Sequence, residues 1–442
     1  MNITIIGLGK IGLPLAVQFA GRGHAVHGVD IAPAVVDAVA AGRPPFPGED
    51  QLADRLSRVV SSGALQPSTD TAGAVAASEF VVVVVPLYVD DQGAPDFTAL
   101  DAATGELARG LRPGTLVSYE TTLPVGCTRR RIAPRLRSGS GLEPGVDFSL
   151  AFSPERVYSG RVFRDLARYP KLVGGIDEPS GRHAVECYSE LLSFDERPDL
   201  DRPNGVWDLG SAEAAEFAKL AETTYRDVNI GLVNQFALHA QRIGVDLARV
   251  IEACNSQPFS HLHRPGIAVG GHCIPVYPQF YLYGDPHATV VRAARDANSA
   301  MPARALELLA QAGNGLAGRR VAVLGAAYRG GVRETTFSGA FDAVASLRAH
   351  GAEALVHDPL YTPDELAELG FASYRPGDTV DFAVVQADHD EYRTWSAADL
   401  PGVRIVLDGR GVLDPSRWPG VDLLVLGRAN SARSAGHAEV GV

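Results

Sequence analysis

The chain has 442 residues, 46% hydrophobic and 21% charged, a length for two to three domains and a composition that excludes a disordered chain. Its net charge of -12, from 52 acidic against 40 basic residues, argues against nucleic acid as a partner, because phosphate backbones are held by basic faces. Four scattered cysteines without a CxxC pair argue against a disulfide framework or zinc knuckle, no apolar run has the roughly 18 residues of a membrane helix, and Met1-Asn2 leads into a strand without the basic n-region of a signal peptide. The expectation is a soluble, cytoplasmic, multidomain protein that binds a small molecule and no metal, membrane or nucleic acid.

Ile3-Thr4-Ile5-Ile6 has the β-branched composition of a buried parallel strand. Gly7-Leu8-Gly9-Lys10-Ile11-Gly12 follows, and a helix is predicted from about Leu13 to Arg22. A second strand, Ala25 to Val29, ends at Asp30, 18 residues after the last glycine. A GxGxxG between strand and helix, with an acid at the tip of the next strand, is a dinucleotide fingerprint. The first glycine permits the tight turn, the second lets the pyrophosphate approach, and the third packs helix on sheet, while the helix N-terminus offers amides to the phosphate. Asp30 would bind the ribose hydroxyls and disfavour a 2′-phosphate, so NAD is expected rather than NADP, over Gly7, Gly9, Lys10, Ile11 and Gly12.

Further strands are predicted at Phe80–Val85, ended by Pro86, at Leu116–Tyr119, ended by Glu120-Thr121-Thr122, and at Leu150–Phe152, ended by Ser153-Pro154-Glu155-Arg156. In an open parallel sheet, ligands sit beyond the carboxyl ends of the strands, where these polar clusters fall. The first domain should span 1–205. A helical pattern without proline then runs from Ser211 to about Ile243, and a helical middle, 206–312, is broken by a loop from Arg264 through Pro278. A helix this long often packs on its symmetry mate, so a homodimer is expected. A second α/β unit, 313–428, begins with the strand at Val321–Gly325, a helix over about Gly339–His350 and a strand Ala354–Val356 leading to Asp358. Its later strands are Phe382–Val385 and Val403–Leu407, and residues 429–442 read as a disordered tail. The fold class is α/β, two Rossmann-type doubly wound domains joined by a long central helix and a helical middle domain, the second domain with one glycine turn instead of three.

Four groups of residues carry possible chemistry. Gly270-Gly271-His272-Cys273-Ile274-Pro275 places a cysteine in a glycine loop, the setting of a thiolate nucleophile and equally of a small buried cysteine. Only Lys10, Lys171 and Lys219 are lysines, so a lysine retained in this arginine-biased chain is more often there for its chemistry. Lys219, on the long helix, suits an oxyanion or a solvated helix face. Glu155 suits a general base or a carboxylate paired with Arg156, and Thr121-Thr122 would position a water or an amide, or serve as ordinary strand residues. Cys127, Cys187 and Cys254 read as packing residues.

In this order along nearly the whole chain, these pieces resemble the UDP-glucose/GDP-mannose dehydrogenase family of NAD-dependent nucleotide-sugar 6-dehydrogenases. The resemblance rests on Gly7–Gly12, Asp30, Thr121-Thr122-Leu123-Pro124-Val125-Gly126, Ser153-Pro154-Glu155-Arg156, Lys219-Leu220-Ala221-Glu222 and Val269-Gly270-Gly271-His272-Cys273-Ile274-Pro275, with Arg295–Pro302 and the turn at Gly325. Arg226-Asp227-Val228-Asn229-Ile230, Pro258-Phe259 and the histidine before Cys273 look most like the branch acting on UDP-N-acetylhexosamines. The resemblance implies a four-electron oxidation of the sugar C6 alcohol to a carboxylate through a thioester. Cys273 would be the nucleophile, Lys219 the oxyanion partner, Glu155 the base for water, and Thr122 the residue that positions water and cofactor, with Thr223 at a catalytic position. Pro86 and Thr121 would touch the cofactor. Arg156, Val157, Arg226, Gly266, Gly270, Gly271, Tyr328 and Arg329 would bind the nucleotide sugar, together with Glu155, Lys219 and Thr223.

The chain also departs from the family pattern. Thr223 stands where the family has an asparagine four residues after the lysine, and Tyr277 where it has an aspartate four residues after the cysteine. Leu87 replaces a threonine after Pro86, Arg329 a lysine, and Thr336 an arginine. Three functions fit: a full oxidation to the uronic acid, a two-electron oxidation to an aldehyde or of an unusual nucleotide sugar, and nucleotide-sugar binding without turnover.

Overall fold

Short apolar runs, most of them closed by a glycine, proline or acid, become the strands of two sheets that are parallel but for one pairing. The computed structural model describes residues 1–90 and 92–428; the expected tail at 429–442 lies outside them. By contact density the chain divides into two units, Met1–Glu222 with Gln279–Pro286, and Thr223–Pro278 with His287 onward.

In the first unit the strands are β1 (Asn2–Ile6), β2 (Ala25–Val29), β3 (Leu65–Ser68), β4 (Phe80–Val83), the short hairpin β5 (Tyr88–Val89) and β6 (Pro95–Asp96), β7 (Leu116–Tyr119), β8 (Ser149–Phe152), β9 (Lys171–Gly175) and β10 (Val206–Asp208). Eight of them form one sheet in the order β10-β9-β8-β7-β4-β1-β2-β3. Its helices are α1 (Gly12–Gly21), α2 (Pro33–Ala40), α3 (Leu52–Ser61), α4 (Thr71–Ala76), α5 (Thr98–Gly110), α6 (Ala133–Ser140), α7 (Val162–Arg168) and α8 (Glu178–Leu191). Acids cap two of them: Asp70 accepts from Gly73 N–H at α4, and Asp177 from Ser180 N–H at α8. Ile3, Ile5, Leu13, Phe19, Phe80, Leu116 and Tyr188 belong to one buried cluster. The pairing of β8 with β9 is antiparallel, which an all-parallel expectation did not anticipate. It turns the start of β9 toward the carboxyl ends of β7 and β8.

Helix α9 (Ala212–Ile243) has 32 residues and carries the chain from the first unit into the second. There follow α10 (Leu247–Asn255), α11 (Tyr277–Gly284), which starts one residue before the expected end of the loop at Pro278, and α12 (Thr289–Ala312). The second sheet has the order β13-β12-β11-β14-β15-β16, all parallel. Its strands are β11 (Arg320–Leu324), β12 (Glu353–His357), β13 (Ala372–Ser373), β14 (Phe382–Val385), β15 (Ile405–Asp408) and β16 (Asp422–Val425), with α13 (Gly339–Ala349) and α14 (Pro363–Glu368). Counted within each sheet, β3-β2-β1-β4-β7-β8 and β13-β12-β11-β14-β15-β16 share the 3-2-1-4-5-6 order of a doubly wound dinucleotide fold. Among the described residues, no helix is long and apolar enough to cross a membrane.

Candidate active site

In the first unit two glycines build the turn between β1 and α1 by close backbone approach. Gly7 has φ +97° and donates its N–H to Val29 O at 2.7 Å, and a Cβ there would stand 2.8 Å from Val84 O. A Cβ on Gly12 would lie 1.8 Å from Gly7 O. Gly9 differs, since a Cβ on it would meet nothing within 4 Å; its bare backbone faces open space. At the end of β2 the Asp30 carboxylate accepts from Leu8 N–H and Ala32 N–H, each at 2.9 Å, which holds it beside the turn. Thr121 donates its hydroxyl to Val85 O at 2.6 Å, tying the loop after β7 to the segment that leads to the exposed Pro86, and Thr122 is buried. Lys10 and Ile11 are half-buried in the turn. A glycine turn at the switch point between β1 and β4, with an acid beside it, fits a bound dinucleotide.

Beyond the ends of β7 and β8 a buried ion cluster forms. Lys171, the first residue of β9, places Nζ 2.9 Å from Glu120 and 2.8 Å from Glu155, and its side chain is 3% exposed. Tyr188 of α8 donates its hydroxyl to Glu120 at 2.5 Å. The other Glu155 oxygen accepts from Arg156 N–H at 2.9 Å. Lys219 of α9, itself 7% exposed, donates to the Glu155 main-chain carbonyl at 2.6 Å. Burial pushes Glu120 up to about 7, with Lys171 pulling it down and Glu155 pushing it up. Burial is also the largest influence on Glu155 and opposes its charge, but the Lys171 ammonium, the Arg156 N–H and a hydrogen bond from Glu120 together outweigh it and hold this carboxyl below its usual value. Arg156 turns its guanidinium to Glu222 at 3.0 Å and to Pro170 O at 3.3 Å, and Val157 packs at the edge of the core. The simple pairing of Glu155 with Arg156 is therefore not what forms; the ion partner of Glu155 is Lys171.

In the second unit the glycines of the 264–276 loop lie against the turn after β11. A Cβ on Gly270 would meet Tyr328 Cβ and Phe337 O at 2.6 Å, and one on Gly271, at φ +87°, would meet the Tyr328 ring at 2.9 Å. Gly271 donates its N–H to Thr336 O at 2.9 Å. Gly266 donates to Asn234 at 3.0 Å, and a Cβ there would stand 3.0 Å from the half-buried Arg410 guanidinium, which also donates to Tyr328 O at 3.2 Å. Arg329 lies over the Tyr328 ring at 5.8 Å. Cys273 is half-buried and accepts Tyr277 N–H at its carbonyl at 2.9 Å, with His272 reaching Glu334 at 3.4 Å. Thr223 is buried and Arg226 half-buried on α9. Below the loop, Arg295 forms a two-point ion pair with the fully buried Asp227 and extends a third N–H to Pro275 O at 3.4 Å.

Residues 1–192 match the NAD-binding domain of the UDP-glucose/GDP-mannose dehydrogenase family, 213–300 its central domain and 322–415 its UDP-binding domain. The chain belongs to this family. Its relatives include the UDP-N-acetyl-D-mannosamine dehydrogenase of Pyrococcus horikoshii, 34% identical over 93% of this chain and 96% of that one. Another is the NDP-N-acetyl-D-galactosaminuronic acid dehydrogenase of Ralstonia solanacearum, 30% identical over 94% and 97%. The solved structure of the Pyrococcus horikoshii UDP-D-ManNAc dehydrogenase superposes with a TM-score of 0.86 at 32% identity, covering 97% of this chain and 99% of that one. This dehydrogenase therefore carries an NAD-binding and a UDP-binding domain on the two Rossmann-like sheets, and its relatives place it in the UDP-N-acetylhexosamine branch.

In this dehydrogenase four residues near the expected ones escaped the sequence. Glu120, Lys171, Arg410 and the loop-holding role of Arg295 have no local signature. The scarcity of lysine was the one signal available for Lys171. Burial pushes the Cys127 and Cys187 thiols up to about 12, as packing cysteines require.

Proposed function

We propose that the protein oxidises the C6 alcohol of a UDP-N-acetylhexosamine to the uronic acid, with two NAD per sugar. The observation that carries this reading is Lys219, in a chain of three lysines, buried and bonded to the main chain of Glu155 at 2.6 Å, with both residues in their family motifs. NAD supplies a hydride acceptor at each oxidation. The first oxidation gives an aldehyde. The Cys273 thiolate then adds to the aldehyde carbon, forming a C–S bond and an oxyanion that Lys219 stabilises, and this tetrahedral carbon gives up the second hydride to leave a thioester. Water adds to the thioester carbonyl, its proton passes to the Glu155 carboxylate, and the C–S bond breaks to free the acid and the thiolate. Thr122 and Thr223 position water and substrate. Gly266, Gly270, Gly271, Tyr328 and Arg329 hold the nucleotide, with Arg156, Val157 and Arg226 lining the sugar side.

A homodimer is part of the proposal. Tyr225, Leu232, Phe236 and Ile243 are all exposed on α9, and their spacing puts them on one helical face, an apolar stripe that a second copy would cover.

The test is the NADH formed per sugar consumed, measured in turn with UDP-N-acetylmannosamine, UDP-N-acetylgalactosamine, UDP-N-acetylglucosamine, UDP-glucose and GDP-mannose. Two NADH and an acid product are expected, and Cys273→Ala should abolish the acid. One NADH with a trapped aldehyde would overturn the full oxidation and assign the loss to Thr223 and Tyr277. No NADH with any of these sugars would overturn the substrate class.

A further inference from the structure

The lysine that neither the motifs nor the mechanism uses is the most deeply enclosed of the three. Lys171 sits where the antiparallel strand β9 begins, 2.9 Å from Glu120 and 2.8 Å from Glu155. Two carboxyls and one ammonium thus meet at the edge of the core: Glu120 is 2% and Lys171 4% exposed as residues, while the Glu155 side chain keeps 11% of its surface open. A single buried ammonium compensates one carboxylate well; a second one has to be protonated or held by further donors. Glu120 has such donors, since Tyr188 gives it a hydroxyl bond at 2.5 Å and Ser118 stands behind Tyr188 at 2.9 Å. Glu155 has its second oxygen on Arg156 N–H. Of the other charged groups nearby, Lys219 donates to the main-chain carbonyl of Glu155, and Arg156 binds Glu222.

We propose that Lys171 is the positioning residue of thioester hydrolysis: its ammonium, held between Glu120 and Glu155, fixes the Glu155 carboxylate in place and compensates its charge. The proposal rests on the reading of Glu155 as the base for water. Without Lys171 the two carboxyls face one another uncompensated, so one proton is shared between them and Glu155 no longer stands ready as an acceptor at neutral pH. Glu120 is then an electrostatic setting of Glu155, through Lys171, and it never meets the substrate.

The experiment follows the Glu155 carboxyl by NMR of the full-length protein labelled with 13C at the glutamate carboxyl carbon. The signal is assigned by its loss in Glu155→Gln. In parallel, the decay of the Cys273 acyl adduct is timed by quench and intact mass with NAD and whichever sugar turns over. In Lys171→Met the Glu155 titration and the acid limb of adduct decay are expected to move up together by about one pH unit or more. In Lys171→Met with Glu120→Gln both should come part of the way back, because the like charge has gone while the ammonium is still missing. Glu120→Gln alone, which leaves Lys171 paired, should move both slightly downward and serves if the lysine variant does not fold. A role in folding alone would not be reversed by removing a second buried group. Unmoved titration in Glu120→Gln and in Lys171→Met overturns the proposal. If the titration moves as expected while adduct decay keeps its wild-type pH profile, and Glu155→Gln turns over normally, the base assignment of Glu155 fails instead.

Discussion

Gly9 and Gly12 are separated by two residues in one turn and answer to different constraints. Gly12 is required by its own chain, since a methyl group there would sit 1.8 Å from Gly7 O, backbone against backbone with nothing to yield. Gly12→Ala should therefore cost several kcal/mol of stability, seen as a large fall in urea midpoint. Gly9 has open space around it, and Gly9→Ala should leave stability within about 0.5 kcal/mol while weakening NAD binding about tenfold or more by calorimetry. Unchanged NAD affinity would remove Gly9 from the cofactor site. The motif in the sequence already gave the second glycine to the pyrophosphate and the third to packing; the structure adds what stands opposite each, open space at Gly9 and the Gly7 carbonyl at Gly12.

At the scale of elements, helix α9 is anchored by two buried carboxylates that work differently. Glu216 is fully buried and accepts from Gly126 N–H, and from Thr128 through both N–H, at 2.8 Å, and hydroxyl, at 2.7 Å, which fixes the loop after β7 to the helix. Burial pushes this carboxyl up to about 7, the hydrogen bonds notwithstanding. Its value when folded is above its value when unfolded, so the stabilisation is whole below about pH 4.3 and is lost as pH rises through about 7, a loss of roughly 4 kcal/mol. Denaturation of wild type across this window should show that slope, and Glu216→Gln should flatten it, leaving the part that Glu120, also raised to about 7, contributes. Further along, Asp227 is tied by Arg295 at two points, and Arg295 also reaches the carbonyl of Pro275 in the Cys273 loop. Arg295→Met strands a buried carboxylate and should cost about 3–5 kcal/mol by chemical denaturation. The helix itself was legible from an uninterrupted apolar period. Its anchors were not, because their partners lie 68 to 90 residues away.

For the whole molecule, one strand order serves both sheets, and the same contacts recur at the end of the first strand of each. Gly325 donates to His357 O at 2.7 Å as Gly7 does to Val29 O, and Asp358 accepts from Ala326 and Ala327 as Asp30 does from Leu8. They then diverge. The same Asp358 oxygen also binds His389 at 3.1 Å, so the place a ribose would take in the first sheet is filled by a side chain in the second. That fits the division into an NAD-binding and a UDP-binding domain. The exposed stripe on α9 belongs to this scale too. Leu232→Glu with Phe236→Glu should convert the proposed dimer to a monomer in light scattering; a wild-type monomer would remove the stripe as an interface.

The sequence by itself determined the strands that lead into the motifs, helices α1, α9 and α13, the two glycine turns, the acid that follows each second strand and the order of the motifs. These depend on local sterics and on the period of apolar residues, which a linear string displays. Where β9 runs, and therefore that Lys171 meets Glu120 and Glu155, was decided by the tertiary structure alone. Its strand reads Lys171-Leu172-Val173-Gly174-Gly175, which pairs equally well in either direction by composition. Direction is fixed by the long-range pairing of Ala151 with Gly175, and burial of a charge pays off only once its opposite charges have been brought to it.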